Sequence, residues 1–309
     1  MSTSPEYQRL FDETHDRMQD VGSFDLVITV AATAAILGAR KVLAIHGASP
    51  ETLQVEYKAK DGDTPRTLAD KLSGIAIKEL IRAHYSNCRI NEEETGDEKA
   101  RNGNEDAWHV DPLDGTSSFA EGQRYSTVGI AVYRNNLPFA AAICHPFEKE
   151  LVVAQAGKGT HMFSVDEHLV GLSYARQLEV SRATTLVGGI AYIDALFNAK
   201  TSGPKLRFMK DLVGMANNNL GFRMSGSNID QQLKVAKGSA RLTLTDAVGG
   251  FFDLAAGGLA IIEAGGMFTD ENGRPVSEST QVAIGTNGPF HDDVLELARL
   301  CYRGYQGFR

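Results

Sequence analysis

The sequence predicts an α/β fold whose first half is α+β, on two observations. Between residues 127 and 163, short apolar runs are separated by Arg134-Asn135-Asn136 and Gly157-Lys158-Gly159, the turn chemistry of antiparallel hairpins. After about Gln177, strand-like segments alternate with helical ones, the pattern of layered α/β structure. The 309 residues, 42% of them hydrophobic, suffice for one large domain of two fused lobes. We place an extension at residues 1–22 and a single domain at 23–309, with lobes at about 23–177 and 178–309.

In chain order, Tyr7, Leu10, Phe11 and Met18 fit a short amphipathic helix or a partly ordered tail. Ser23 can cap a long helix running to about Ile45, with Gly47 as its stop. The apolar part of that helix, Leu26 to Ala39, is too short to span a bilayer and reads as a buried helix. Leu53 to Tyr57 reads as a strand and Lys60 to Pro65 as a turn. Leu68 to His84 has the apolar spacing of a helix, and Asn91 to Asp106 reads as an acidic loop. Strands are expected at Trp108 to Val110, Thr127 to Tyr133, Phe139 to Cys144, Leu151 to Gln155 and His161 to Phe163. Later strands are expected at Leu186 to Ile190, Arg241 to Leu244 and Val282 to Ile284. Helices are expected at Ser227 to Ala236, Asp253 to Glu263 and Asp292 to Cys301.

Composition excludes several function classes. The net charge is −8 and no basic tract occurs, which argues against a nucleic-acid polymer as partner. The polar N-terminus is no signal peptide, and Cys88, Cys144 and Cys301 are isolated, which argues against a disulfide framework or structural zinc and fits a reducing cytoplasm. No membrane association is expected. An acidic protein that acts on an anion needs local positive charge, and bound metal is the simplest source.

Trp108-His109-Val110-Asp111-Pro112-Leu113-Asp114-Gly115-Thr116 carries the chemistry. It reads as a strand broken at Pro112, a turn bearing two carboxylates, and a helix starting at Thr116. Such a turn can hold hard cations while a helix N-terminus faces an anion, which suggests phosphate chemistry. Other acidic elements are Asp70 at a helix start, Glu93 and Glu94 in Asn91-Glu92-Glu93-Glu94-Thr95-Gly96, and Asp253 opening the small-residue run Asp253-Leu254-Ala255-Ala256-Gly257-Gly258. Asp253 alone could be a simple cap. Three other features are read as structural. His109 is a packed histidine, Cys144-His145 point opposite ways on a strand, and Gly157-Lys158-Gly159-Thr160 lacks phosphate-loop spacing.

Asp-Pro-Leu-Asp-Gly-Thr, with the Glu-Glu element before it and the aromatic-Asp-x-Ala-Ala-Gly element after it, resembles the inositol monophosphatase family, magnesium-dependent and lithium-sensitive phosphatases. Gly226-Ser227 and Glu263-Ala264-Gly265-Gly266 extend the resemblance over about residues 23 to 305. It implies an α-β-α-β-α sandwich of the inositol monophosphatase/fructose bisphosphatase type, two or three Mg2+ ions, a small phosphorylated substrate and a homodimer. It also implies metal ligation by Glu93, Asp111, the Leu113 carbonyl, Asp114 and Asp253. Asp70 and Thr116 resemble the pair that orients the attacking water, with Glu93 alongside them. Gly115, Thr116 and Ser117 resemble the phosphate cradle, and Arg223, Gly226, Ser227, Asn228 and Asp246 lie where substrate contacts fall.

Physical chemistry agrees with this ligand set. Five converging carboxylates would be prohibitive to bury without cations, and hard oxygen donors without His or Cys favour Mg2+ over Zn2+. The chain departs from the family pattern at Glu92, Ser118, Asn228 and Phe252, and has Thr245 or Asp246 where inositol-specific members place a glutamate on a sugar hydroxyl. The expected activity is therefore a phosphomonoesterase acting on a small phosphorylated polyol or sugar. Alternative substrates are a nucleotide 3′-phosphate, fructose bisphosphate or histidinol phosphate. A haloacid dehalogenase-like phosphatase would need Asp-x-Asp rather than Asp-x-x-Asp. A non-catalytic family member would have no chemical reason to keep these clustered charges.

Overall fold

The computed structural model describes residues 5–57, 65–100, 106–193 and 199–302. Nine helices are described: α1 (Pro5–Val21), α2 (Leu26–Ile45), α3 (Pro50–Leu53), α4 (Leu68–His84), α5 (Thr116–Ala120), α6 (Ala199–Met215), α7 (Asn228–Ala236), α8 (Phe252–Glu263) and α9 (His291–Cys301). β1 (Glu56–Tyr57) and β2 (Pro65–Arg66) form a small hairpin. The first large sheet holds β3 (Arg89–Glu92), β4 (Gly96–Glu98), β5 (Asp106–Asp114), β6 (Thr127–Arg134), β7 (Leu137–His145), β8 (Glu150–Gln155), β9 (Gly159–Val165) and β10 (Leu172–Leu178). Its order is β10-β9-β8-β7-β6-β5-β3-β4, antiparallel except at β3–β5. The second sheet holds β11 (Gly189–Ile193), β12 (Leu220–Arg223), β13 (Leu242–Asp246), β14 (Met267–Asp270) and β15 (Val282–Thr286), in the order β12-β11-β13-β15-β14. β11 runs parallel to β12 and β13, and β15 antiparallel to β13 and β14.

Three apolar clusters set five layers. α1, α2 and α4 cover the outer face of the first sheet, through Leu10, Met18, Ile28, Ile36, Ile77, Leu80 and Trp108. α7 and α8 fill the space between the sheets, where Ile229, Leu233, Leu254 and Leu259 meet Ala131, Ile143 and Ala283. α6 and α9 cover the far face of the second sheet, where Phe208, Leu212 and Val294 meet Leu242, Leu244 and Ile284. This is the α-β-α-β-α arrangement the family resemblance implies. The small residues of α8 serve tight packing: a Cβ on Gly258 would fall 2.5 Å from the Phe268 ring. Gly265, at φ +87, then ends the helix, with Gly266 N–H donating to the Ile261 carbonyl.

Several local expectations need correction. Asp25, not Ser23, caps α2, its carboxylate accepting from Val27 N–H at 3.0 Å. The apolar stretch does not stop at Ala39: α2 runs 20 residues, long and apolar enough to cross a bilayer by length and composition, but it is buried against α4 and the first sheet. Leu53 ends the one-turn helix α3 rather than opening a strand, because Ser49 caps it and Pro50 takes its first position. Residues 91–98 hold a hairpin, β3–β4, where a loop is expected; Arg89–Asp97, Lys78–Glu98 and Arg82–Glu98 ion pairs offset its charged edge. The strand at Trp108 does not break at Pro112. β5 continues to Asp114 through a register shift between Asp111 and Asp114, a bulge that absorbs the missing proline N–H. The tail at residues 5–21 is an amphipathic helix, and most of the turn expected at 60–65 lies outside the described residues.

Candidate active site

The bulge at the end of β5 turns Asp111 and Asp114 towards α8. Asp111, Asp114 and Asp253 each offer a carboxylate oxygen within 4.8 Å of the others, and all three are buried. Glu93 follows β3, and its N–H donates to the Val110 carbonyl at 3.1 Å, which ties it to β5. Gly249 packs between Glu93 and Asp253: a Cβ there would come within 3.2 Å of both carboxylates. Gly249 N–H donates to Asp253 Oδ2 at 2.9 Å, and Gln232 Nε2 donates to the Asp253 carbonyl at 2.6 Å. Of the three consecutive glutamates, Glu93 lies beside Asp253. Glu92 turns inward beneath α4, with Thr95 donating to its carboxylate and Lys78 Nζ at 3.7 Å. Glu94 pairs with Arg66 at 3.1 Å.

Asp70 closes a capping box at the start of α4, accepting from Thr67 N–H at 2.7 Å and Thr67 Oγ1 at 2.6 Å. Its other oxygen lies 3.0 Å from Thr116 Oγ1, which is also 2.9 Å from the Leu113 carbonyl. Thr116 has one hydroxyl proton for two acceptors, so it can release one of them to an incoming group. Asp114 is held by the start of α7. Ser227 Oγ donates to Oδ2, Asn228 N–H donates to Oδ1 at 3.1 Å, and Ile229 N–H donates to Oδ2 at 2.8 Å. Thr127 Oγ1 adds a bond at 3.3 Å.

The electrostatics are those of crowded anions. Burial lifts Asp111 well above the ordinary carboxylate range, and the charges of Glu93, Asp114 and Asp253 lift it further. Burial raises Asp70 to about 7, with Glu94 and Glu93 adding to it against the Thr67 bonds. Burial raises Asp114 to about 6, opposed by its bonds from Ser227, Ile229 and Asn228. Bound cations would reverse these shifts, and every donor here is a hard oxygen, so the cluster fits Mg2+.

The remaining expected contacts distribute unevenly. Gly115, at φ +85, sits against Gly226 and Ser227: an added Cβ would lie 3.1 Å from the Gly226 carbonyl oxygen. Ser117 is exposed on α5, whereas Ser118 Oγ donates to the Ser225 carbonyl at 3.1 Å and ties α5 to the segment before α7. Arg223 is exposed at the end of β12 and donates to its neighbour's carbonyl at 2.7 Å. Asp246 has no accessible surface and lies 2.8 Å from Lys205 Nζ, so contact with a substrate would require that pair to open. Thr127, Gln232 and Gly249 escape sequence reading; the Gly249-Gly250 doublet is the one local signal that could have flagged the last of them.

The features read as structural behave so. His109 is buried between the Tyr133 and Phe251 rings, and burial lowers it to about 4. Cys144 lies in the apolar core while His145 faces Glu148 and Asp230. That second cluster has the spacing of a metal site, but Lys234 Nζ lies 2.9 Å from both carboxylates and already supplies its cation. Gly157 and Gly159 form the β8–β9 turn, donating to Glu263.

A sequence model of the inositol monophosphatase family matches residues 25–301. An inositol-1-monophosphatase of Synechocystis is 27% identical over 281 residues, 91% of each chain. A histidinol-phosphatase of Streptomyces coelicolor is 27% identical over 79% of this chain and 88% of its own. The solved structure of the extragenic suppressor protein suhB from Bartonella henselae superposes with a TM-score of 0.77 at 23% identity, covering 91% of this chain and all of that one.

Proposed function

Because the chain belongs to the inositol monophosphatase family, we propose that it is a magnesium-dependent phosphomonoesterase that hydrolyses a small phosphorylated polyol or sugar. The observation that carries this reading is the meeting of Asp111, Asp114 and Asp253 beside Glu93, next to the Asp70–Thr116 pair. Glu93, Asp111, the Leu113 carbonyl, Asp114 and Asp253 would hold the metal ions. When bound, these ions supply Lewis-acid polarisation of the phosphoryl oxygens and stabilise the leaving oxygen.

The protein's own groups do the rest. Thr116 Oγ1 and Asp70 Oδ1 would orient the attacking water, with the Asp70 carboxylate as the acceptor of its proton. Amides at the start of α5 receive the phosphate oxygens. Little covalent chemistry is asked of the protein, so no Ser, Cys or His nucleophile is needed. A second substrate, histidinol phosphate, is supported by the likeness to the Streptomyces enzyme.

The test is phosphate release from inositol phosphates, histidinol phosphate, sugar bisphosphates and 3′-phosphonucleotides, with magnesium and with chelator. Release that needs magnesium and is lost in Asp111→Asn is expected, and the best substrate ranks the two readings. Magnesium-independent release, or release retained by the variant, would overturn the mechanism.

A further inference from the structure

The site reading leaves one buried pair unused. Lys205 is 1% exposed and Asp246 0%, at an Nζ–Oδ2 distance of 2.8 Å. A buried ion pair of this kind is a poor source of stability, because apolar residues of similar volume usually do as well; its value lies in direction. The placement of this pair is directional. Asp246 is the last residue of β13, and Lys205 lies in α6 on the far face of the second sheet. The pair therefore fixes the strand end from the side away from the site.

From Asp246 the chain runs directly to the site. Ala247 N–H donates to the Gln281 carbonyl at 2.8 Å, and Val248 N–H donates to the Asp246 carbonyl at 2.9 Å. The next residue, Gly249, donates to Asp253 Oδ2 at 2.9 Å and packs on Glu93. On the neighbouring side, Gln232 Nε2 spans Thr245 Oγ1 at 3.3 Å and the Asp253 carbonyl at 2.6 Å. Two residues thus separate the buried pair from an amide that orients a candidate metal ligand.

We propose that Lys205 is a positioning residue for the metal site, acting through Asp246 and the 247–250 loop to set the Gly249 N–H against Asp253. This rests on the metal reading given above. An apolar replacement would restore burial but not direction, so the loop would turn and Asp253 would lose a charge-assisted hydrogen bond.

The decisive variant is Lys205→Met with Asp246→Leu, since Lys205→Met alone leaves a buried carboxylate without its partner. The readouts are thermal melting and Mn2+ binding, followed by the EPR signal of the free ion, so turnover is not required. The double variant should melt close to the parent yet bind Mn2+ about tenfold more weakly, the size of one hydrogen bond to a charged group. Parent-like affinity in the folded double variant would overturn the proposal. So would failure of both variants to fold, which would make the pair purely structural. If the parent and Asp111→Asn bind Mn2+ alike, the metal reading itself fails, a distinct result.

Discussion

At the scale of single residues, Asp111 and Thr116 separate charge from orientation. Asp111 is buried among carboxylates that push it far from its ordinary range, so in the metal-free protein its charge is a burden. Asp111→Asn should therefore raise the melting temperature in chelator while abolishing the stabilisation by magnesium. Phosphate release should fall about 10³-fold, the rate equivalent of the several kcal/mol a Lewis acid contributes. Thermal melting with and without magnesium checks this, and a magnesium shift equal to the parent's would refute the ligand role. Thr116 carries no charge of its own; its hydroxyl lies between the Asp70 carboxylate and the Leu113 carbonyl. Thr116→Val keeps the shape and removes the hydroxyl. Its kcat should drop about 10²- to 10³-fold, the range for a positioned proton-transfer partner, with KM little moved. A steady-state series in which KM carries the loss would place Thr116 in substrate binding instead.

At the scale of elements, the start of α7 has two tasks. Ser227 caps the helix by accepting from Asp230 N–H at 3.2 Å and donates to Asp114. Ser227→Ala should cost about 1 kcal/mol for the lost cap and also weaken magnesium activation, whereas an ordinary cap variant would show only the first effect. Urea midpoints and magnesium half-saturation measure the two separately. The elements also show what a sequence reveals. α4 is legible from residue 68 to 84 because Thr67 and Asp70 form a capping box ahead of a regular apolar spacing. α6 is illegible because Gly203 and Pro204 read as breakers, and β10 because Ser173 to Gln177 are all exposed and show no alternation. The convergence of Asp111, Asp114 and Asp253 is legible through the motifs that carry them. The contacts of Gln232, Gly249 and Lys205 are not, because only tertiary placement brings them to Asp253 and Asp246.

At the scale of the whole molecule, the five layers bury a set of ionisable groups whose pH linkages oppose one another. His109 is held at about 4, below its unfolded value of about 6.5. Its contribution is complete above the unfolded value and is lost as pH falls towards 4, about 3 kcal/mol in all. Asp70 works the other way. Its folded value of about 7 lies above the unfolded value near 3.9, so folding takes up a proton between them. That contribution is complete at low pH and is lost as pH rises to 7, about 4 kcal/mol. Asp114, at about 6, and Asp111, well above the ordinary range, carry the same sign as Asp70. The carboxylates therefore outweigh the histidine, and the metal-free protein should lose stability as pH rises from 5 to 7.5. Magnesium binds the deprotonated cluster and competes with those protons, so it should raise the melting temperature much more at pH 7.5 than at pH 5. Melting curves in chelator and in saturating magnesium across that range measure both effects. A chelated protein that grows more stable towards pH 7.5 would show that the carboxylates are already compensated within the protein, and the case for metal at this site would fall with it.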